Sequence, residues 1–332
     1  MGKRWAAYFL VALTVVGAAA YGALKFSPWP SVLLIRYAFA KDTASRTLVL
    51  EKHQPADVVE SRDQRYAAGE DARLDVFFPS MAARSGQALP TIVWIHGGAF
   101  VYGSKSDVAG YLRILAARGY TTVGIDYSIA PSEKYPTPVK QANEALAFLV
   151  RNAARYHVDT ARLFLAGDSA GAQIAAQLAA IISDPRYAAS VGISPSIPRT
   201  QLRGIALFCG VYDLSAIKLD GQFGGFIRTV SWSYFGSKNL TDDPRLAEFA
   251  VNRQLTPAFP PAFISVGNAD PLAPQSALMA AAMRNQGVTV DSLFFPADYN
   301  PPLVHEYHFN LDQAAASEAL ARLNAFFDRL SK

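Results

Sequence analysis

From Thr91 to the C-terminus, short apolar runs of strand-forming residues alternate with stretches of helical period, and that order admits few folds. The expected strands are Thr91–Ile95, Thr121–Ile125, Leu163–Ala166, Ile205–Cys209, Phe263–Val266 and Ser292–Phe295. The expected helices span about 108–118, 139–156, 170–182, 275–286 and 313–330. Parallel strands need a crossover, usually a helix, so the alternation predicts an α/β fold: a mostly parallel central sheet flanked by helices. Leu74–Pro79 adds a short strand ahead of the series, and Ser85-Gly86 lies in a loop read as a hairpin or crossover connection.

Composition narrows the function. A chain of 332 residues that is 51% hydrophobic can bury one large core. The net charge of +4 comes from scattered Lys and Arg without a basic stripe, which argues against a nucleic-acid partner. The single cysteine, Cys209, sits in the apolar run Gly204–Cys209 and reads as a buried structural thiol; one cysteine permits neither an intrachain disulfide nor a cysteine zinc cluster.

The N-terminus reads as a membrane-type segment. Lys3 and Arg4 precede an uncharged run from Trp5 to Leu24, closed by Lys25. The run is just long enough to cross a bilayer. Ala18-Ala19-Ala20 also fits a cleavable signal peptide. Continuation of the run past that point, with Trp5, Tyr8 and Tyr21 near its ends, favours an uncleaved anchor. Both readings export the chain, anchored in the inner membrane with the domain on the periplasmic side, or periplasmic or secreted if cleaved. Residues 26–40 read as a short amphipathic helix, placed on the membrane surface, over the mouth of a site, or simply packed on the domain, and the polar stretch Thr43–Gly69 as a connector in which His53 is solvent-exposed. The expected organisation is residues 1–25 as anchor or signal, 26–69 as amphipathic segment and connector, and 70–332 as the main domain, with a cap insertion at about 214–259. The cap's Trp232, Tyr234 and Phe235 are candidate pocket walls.

Two glycine-bearing strand ends carry the chemistry. Leu163–Ala166 runs through Gly167-Asp168-Ser169-Ala170-Gly171 into a small-residue helix, a strand-turn-helix in the G-x-S-x-G pattern. Such a turn presents Ser169 at the edge of the sheet. A serine hydroxyl alone is a weak nucleophile, so the turn calls for a histidine base, an acid that orients it, and donors for an oxyanion. Upstream, Thr91–Ile95 ends in His96-Gly97-Gly98-Ala99-Phe100, where backbone N–H groups can converge on one spot. Gly97, Gly98 and Ala99 are assigned as oxyanion donors together with Ala170, and His96 is given a structural role.

His96-Gly97-Gly98-Ala99-Phe100, Asp126-Tyr127-Ser128-Ile129-Ala130-Pro131 and Gly167-Asp168-Ser169-Ala170-Gly171 resemble successive motifs of the α/β-hydrolase family, in its hormone-sensitive-lipase-like branch of esterases. The likeness runs from about Leu74 to the C-terminus. Ala99 stands where that family usually has a third glycine, and Ser128 where it usually has arginine. The resemblance implies the chain order serine, acid, histidine. Asp270 in Asn268-Ala269-Asp270-Pro271 is the preferred acid, with Asp213 as its rival. His305 is the preferred base over His308, because His305-Glu306-Tyr307 matches the family's histidine, small or polar residue, aromatic; His308, Phe100 and Trp232 are candidates to touch substrate. Asp168 is expected to point away from the turn and brace backbone. The implied activity is a serine carboxylesterase cleaving short- to medium-chain acyl esters of small molecules through an acyl-enzyme. An amidase or formamidase with the same triad, and a non-catalytic binding module on the same fold, are the alternatives. Nothing in the sequence calls for a metal or organic cofactor.

Overall fold

The computed structural model describes residues 2–221, 223–240 and 243–332, with side chains from Arg4 onward. The expected charge at Lys3 and the cap positions Gln222, Thr241 and Asp242 lie outside the described residues. The chain begins with two helices, α1 (Gly2–Phe26) and α2 (Trp29–Glu51), followed by β1 (Val58–Arg65), β2 (Arg73–Pro79), α3 (Ser80–Ser85) and β3 (Leu89–Ile95). Next come α4 (Lys105–Ala116), β4 (Thr121–Ile125), α5 (Thr137–Arg151), β5 (Val158–Asp168), α6 (Ser169–Ser183), α7 (Pro185–Val191) and β6 (Leu202–Phe208). The chain closes with α8 (Gly224–Phe235), α9 (Arg245–Phe249), β7 (Ala262–Val266), α10 (Ala273–Asn285), β8 (Val290–Phe294) and α11 (Ala314–Leu330).

The strands form one eight-stranded sheet in the order β1-β2-β4-β3-β5-β6-β7-β8. β1 and β2 pair antiparallel with their neighbours, and β4, β3, β5, β6, β7 and β8 run parallel. The central strands are apolar on both faces because helices cover both. Along β3, Val93 and Ile95 enter one core while Ile92 and Trp94 enter the other, the period of two that a pleated strand imposes. α6 runs beneath the middle of the sheet and is buried from Ser169 to Ile182. Its alanines allow that close approach.

The N-terminal third departs from the expectation. The expected helix at 26–40 continues to Glu51, and the presumed connector holds the edge strand β1. β1 reads Val-Val-Glu-Ser-Arg-Asp-Gln-Arg and carries no clean apolar alternation, because it packs on one neighbour only at the rim of the sheet. The presumed loop before Ser85-Gly86 is the helix α3, ended by Gly86 at φ 70°. His53 has a partner, with its Nε2 3.0 Å from Asp312 Oδ1.

α2 lies on the domain rather than apart from it. Val32 and Leu50 are buried, and Arg36 donates to the carbonyls of Val101 (2.7 Å) and Ala130 (3.1 Å). Phe39 meets Tyr102 and, in the cap region, Phe226, at ring separations of 5.9 and 6.1 Å. The opposite face of α2 leaves Leu33, Leu34 and Tyr37 56%, 71% and 77% exposed. α1 extends from the domain, meeting it near its end where the Lys25 carbonyl accepts from Lys238 Nζ, and its Arg4–Phe26 stretch is long and apolar enough to cross a membrane. At 1.5 Å per residue it spans about 35 Å, against about 30 Å for a bilayer core.

Candidate active site

The site is assembled from the C-terminal ends of β3, β5, β7 and β8, where loops leave a parallel sheet on one edge. β5 ends at Asp168 and α6 starts at Ser169, whose φ of 50° places a non-glycine residue in the left-handed region. The turn is closed by two glycines that admit no side chain. A Cβ on Gly167 would stand 2.6 Å from the Gly171 carbonyl carbon, and one on Gly171 would overlap the Ile95 carbonyl.

Ser169 Oγ lies 3.0 Å from His305 Nε2, and His305 Nδ1 lies 2.8 Å from Asp270 Oδ2. The other Asp270 oxygen accepts from the Leu272 N–H at 2.8 Å, which fixes the carboxylate in the loop after β7. His305 reaches in from the loop after β8. Asn268 ties these loops together, accepting from the Leu303 N–H at 2.9 Å and donating to the carbonyls of Ala297 (3.2 Å) and Tyr299 (3.1 Å). Asn268 escapes a sequence reading because an Asn in a turn is ordinary. Asp213, the rival acid, is engaged elsewhere, accepting from Ser215 Oγ at 2.6 Å and pairing with Arg253 at 2.8 Å.

Burial works against a charge on His305, but its neighbours Cys209 and Asp270 together hold the imidazole's pKa above its ordinary value. Burial also pushes the Cys209 thiol up. Cys209, Asp270 and His305 hold potential ligand atoms within 4.8 Å of one another. The bond between Asp270 and His305 Nδ1 already accounts for that proximity, and a metal there would have to displace it.

The glycine loop divides its donors. The Gly97 N–H is bound to Asp168 Oδ2 at 2.8 Å, while Trp94 Nε1 donates to Asp168 Oδ1 at 2.7 Å. Gly97 is therefore removed from the oxyanion set, leaving Gly98, Ala99 and Ala170. Asp168 points into the protein and braces backbone, as its place beside the turn implies. Ala99 and Phe100 are left-handed, at φ 54° and 62°. His96 stacks on Tyr127 at 4.3 Å with its Nδ1 2.8 Å from the Gly97 carbonyl oxygen, a structural arrangement.

Two of the three candidate substrate contacts change. His308 is fully buried, stacked on Phe208 at 4.0 Å, and does not line the cavity. Burial pushes its pKa well below the usual value, so the ring is neutral, and both nitrogens are without hydrogen-bond partners. Trp232 faces away and carries Lys238 Nζ 4.1 Å from its ring centre. Phe100 does line the cavity, stacked on Tyr234 at 4.0 Å. The cavity above Ser169 holds about 400 Å³, walled by Phe39 of α2, Phe100, Phe223, Phe226, Ile227 and Val230. Phe39 lies in the segment that one of the three readings set over the mouth of a site, whereas Thr43 and Arg46 were not foreseen, because that stretch reads as a polar connector.

Known proteins share this arrangement of the chain. Residues 92–299 match the model of a family described as the alpha/beta hydrolase fold, and residues 48–131 match that of the carboxylesterase family. An acetyl esterase of Salmonella choleraesuis (strain SC-B67) is 26% identical over 244 residues, covering 71% of this chain and 71% of that protein. Esterase B from Lactobacillus Rhamnosis (HN001) superposes with a TM-score of 0.77 at 23% identity, over 91% of this chain and 96% of that one. EstE1, a thermophilic carboxylesterase cloned from a metagenomic library, does so with a TM-score of 0.71 at 21% identity, over 93% and 99%. The chain belongs to the family described as the alpha/beta hydrolase fold, whose model matches well over half of it.

Proposed function

We propose that the protein cleaves short- to medium-chain acyl esters through an acyl-enzyme on Ser169. The observation that carries this reading is the chain of contacts from Ser169 Oγ to His305 Nε2 (3.0 Å) and from His305 Nδ1 to Asp270 (2.8 Å), opening on an apolar cavity of about 400 Å³. As Ser169 Oγ attacks the ester carbonyl, His305 Nε2 takes its proton. Asp270 keeps the proton on Nδ1 and stabilises the imidazolium. The N–H groups of Gly98, Ala99 and Ala170 receive the negative oxygen, and losing one such donor typically costs about 100- to 1,000-fold in turnover. His305 then gives its proton to the departing alcohol, and water, activated by the same ring, releases the acid. The aromatic walls favour an apolar acyl chain over a charged one.

The division into an anchor (1–25), a docked segment (26–69) and a hydrolase domain with a cap at about 214–259 belongs to this proposal, with the domain exported and tethered by α1. It is supported by the exposed Leu33, Leu34 and Tyr37, which follow α1 closely and suit a lipid surface. Turnover of p-nitrophenyl esters from acetate to palmitate by the full chain in detergent, beside Ser169→Ala and His305→Ala, tests the chemistry. Activity on the C2 to C8 esters that both substitutions abolish is the expected result. A folded wild-type chain inert on every ester overturns the proposal.

A further inference from the structure

Glu306 has no part in the chemistry above, yet it stands inside the site. It is 8% exposed, held left-handed at φ 59°, and lines the cavity. Its Oε1 lies 3.9 Å from His305 Nε2 and 2.8 Å from where a Cβ on Gly97 would be. A carboxylate is thus set against the loop whose next N–H groups receive the oxyanion. A negative charge developing on that loop and the Glu306 carboxylate would oppose each other in a partly desolvated cleft.

The answering charge comes from the N-terminal helix. Arg46 of α2 pairs through Nη1 with Glu306 Oε2. The guanidinium is also held by Thr43 Oγ1 at 3.2 Å from Nη2 and Asp42 Oδ2 at 3.3 Å from Nε, and it lies 5.7 Å from the Phe309 ring. Arg46 and Glu306 both fall outside the family match at residues 92–299. We infer that Arg46 is a positioning residue that neutralises the Glu306 carboxylate beside the oxyanion loop, so that docking of α2 completes the active site. Without Arg46 the same carboxylate opposes the tetrahedral intermediate.

This inference rests on the Ser169–His305–Asp270 reading, and the experiment separates the two. The full chain in detergent is assayed on p-nitrophenyl butyrate as wild type, Ser169→Ala, Arg46→Met, Arg46→Lys, Glu306→Gln and the Arg46→Met/Glu306→Gln pair. Rates of the variants that keep Ser169 are expressed per site titrated by a p-nitrophenyl phosphonate, so that a poorly folded fraction does not enter them, and that of Ser169→Ala per chain shown to be folded by circular dichroism. Methionine keeps the packing of the arginine stem. Arg46→Met is expected to lower kcat about 10- to 100-fold with KM within about threefold, a smaller loss than removal of an oxyanion donor itself because the donors stay in place. Arg46→Lys recovers part of that loss, and the double variant returns to the level of Glu306→Gln. A double variant as slow as Arg46→Met, or an Arg46→Met enzyme with wild-type kcat, overturns the inference while leaving the triad standing. Turnover that survives Ser169→Ala overturns the triad itself.

Discussion

At Gly171 the local backbone decides whether there is a site at all. An added methyl would overlap the Ile95 carbonyl, and neither backbone can yield without moving β3 or α6. Gly171→Ala is therefore expected to cost several kcal/mol, at the upper end of overpacking, and to lower the melting temperature as it abolishes turnover. This position is legible from sequence because the elbow pattern encodes a steric demand. The division of donors in the glycine loop is not, since only the folded chain shows the Gly97 N–H bound to Asp168. His308 shows the same limit: the family pattern separates it from His305 as the base, but only the folded chain shows that it stacks on Phe208 while His305 faces Ser169. His308→Leu is expected to keep kcat/KM within about threefold, since the substitution removes buried nitrogens that bond to nothing. For His305 the sign of the pH dependence follows from its raised pKa. The ring must be neutral to take the serine proton, and it stays protonated to a higher pH than usual, so kcat/KM should climb with pH through a midpoint above 6.5. A midpoint at or below that value contradicts the electrostatics assigned to Asp270.

Among the elements, the parallel strands are legible because burial on both faces writes continuous apolar runs, as in β3 to β7. β1 is not, because an edge strand exposed on one side reads as a polar connector. α2 is half legible: its apolar start is visible, but its continuation through Lys41, Asp42 and Arg46 looks polar until Glu306 of the domain is in place to meet Arg46. Its docking depends on Arg36, whose guanidinium serves two carbonyls of the catalytic domain. Hydrogen bonds from a charged donor contribute about 1.5–3 kcal/mol each. Arg36→Met is expected to speed amide exchange across 30–50, to raise KM several-fold because Phe39 then leaves the cavity wall, and to lower kcat as Arg46 leaves Glu306. Unchanged exchange in that segment would show that α2 is held by its apolar face instead.

The molecule as a whole joins an exposed apolar helix to a hydrolase domain through α2, a helix with one face in the substrate cavity and the other bare. Removal of a peripheral protein by alkaline carbonate, with α1 intact by mass, would contradict tethering through α1; retention in the membrane pellet is expected. The central claim is narrower and concerns one oxygen atom. The measurement that addresses it most directly is reaction of the full chain with a p-nitrophenyl alkylphosphonate, following p-nitrophenolate release and mapping the added mass by peptide mass spectrometry. The account predicts one equivalent released per chain, loss of ester turnover in step, and the adduct on the peptide bearing Ser169. An adduct elsewhere with turnover lost, or full labelling of Ser169 with turnover retained, would contradict it.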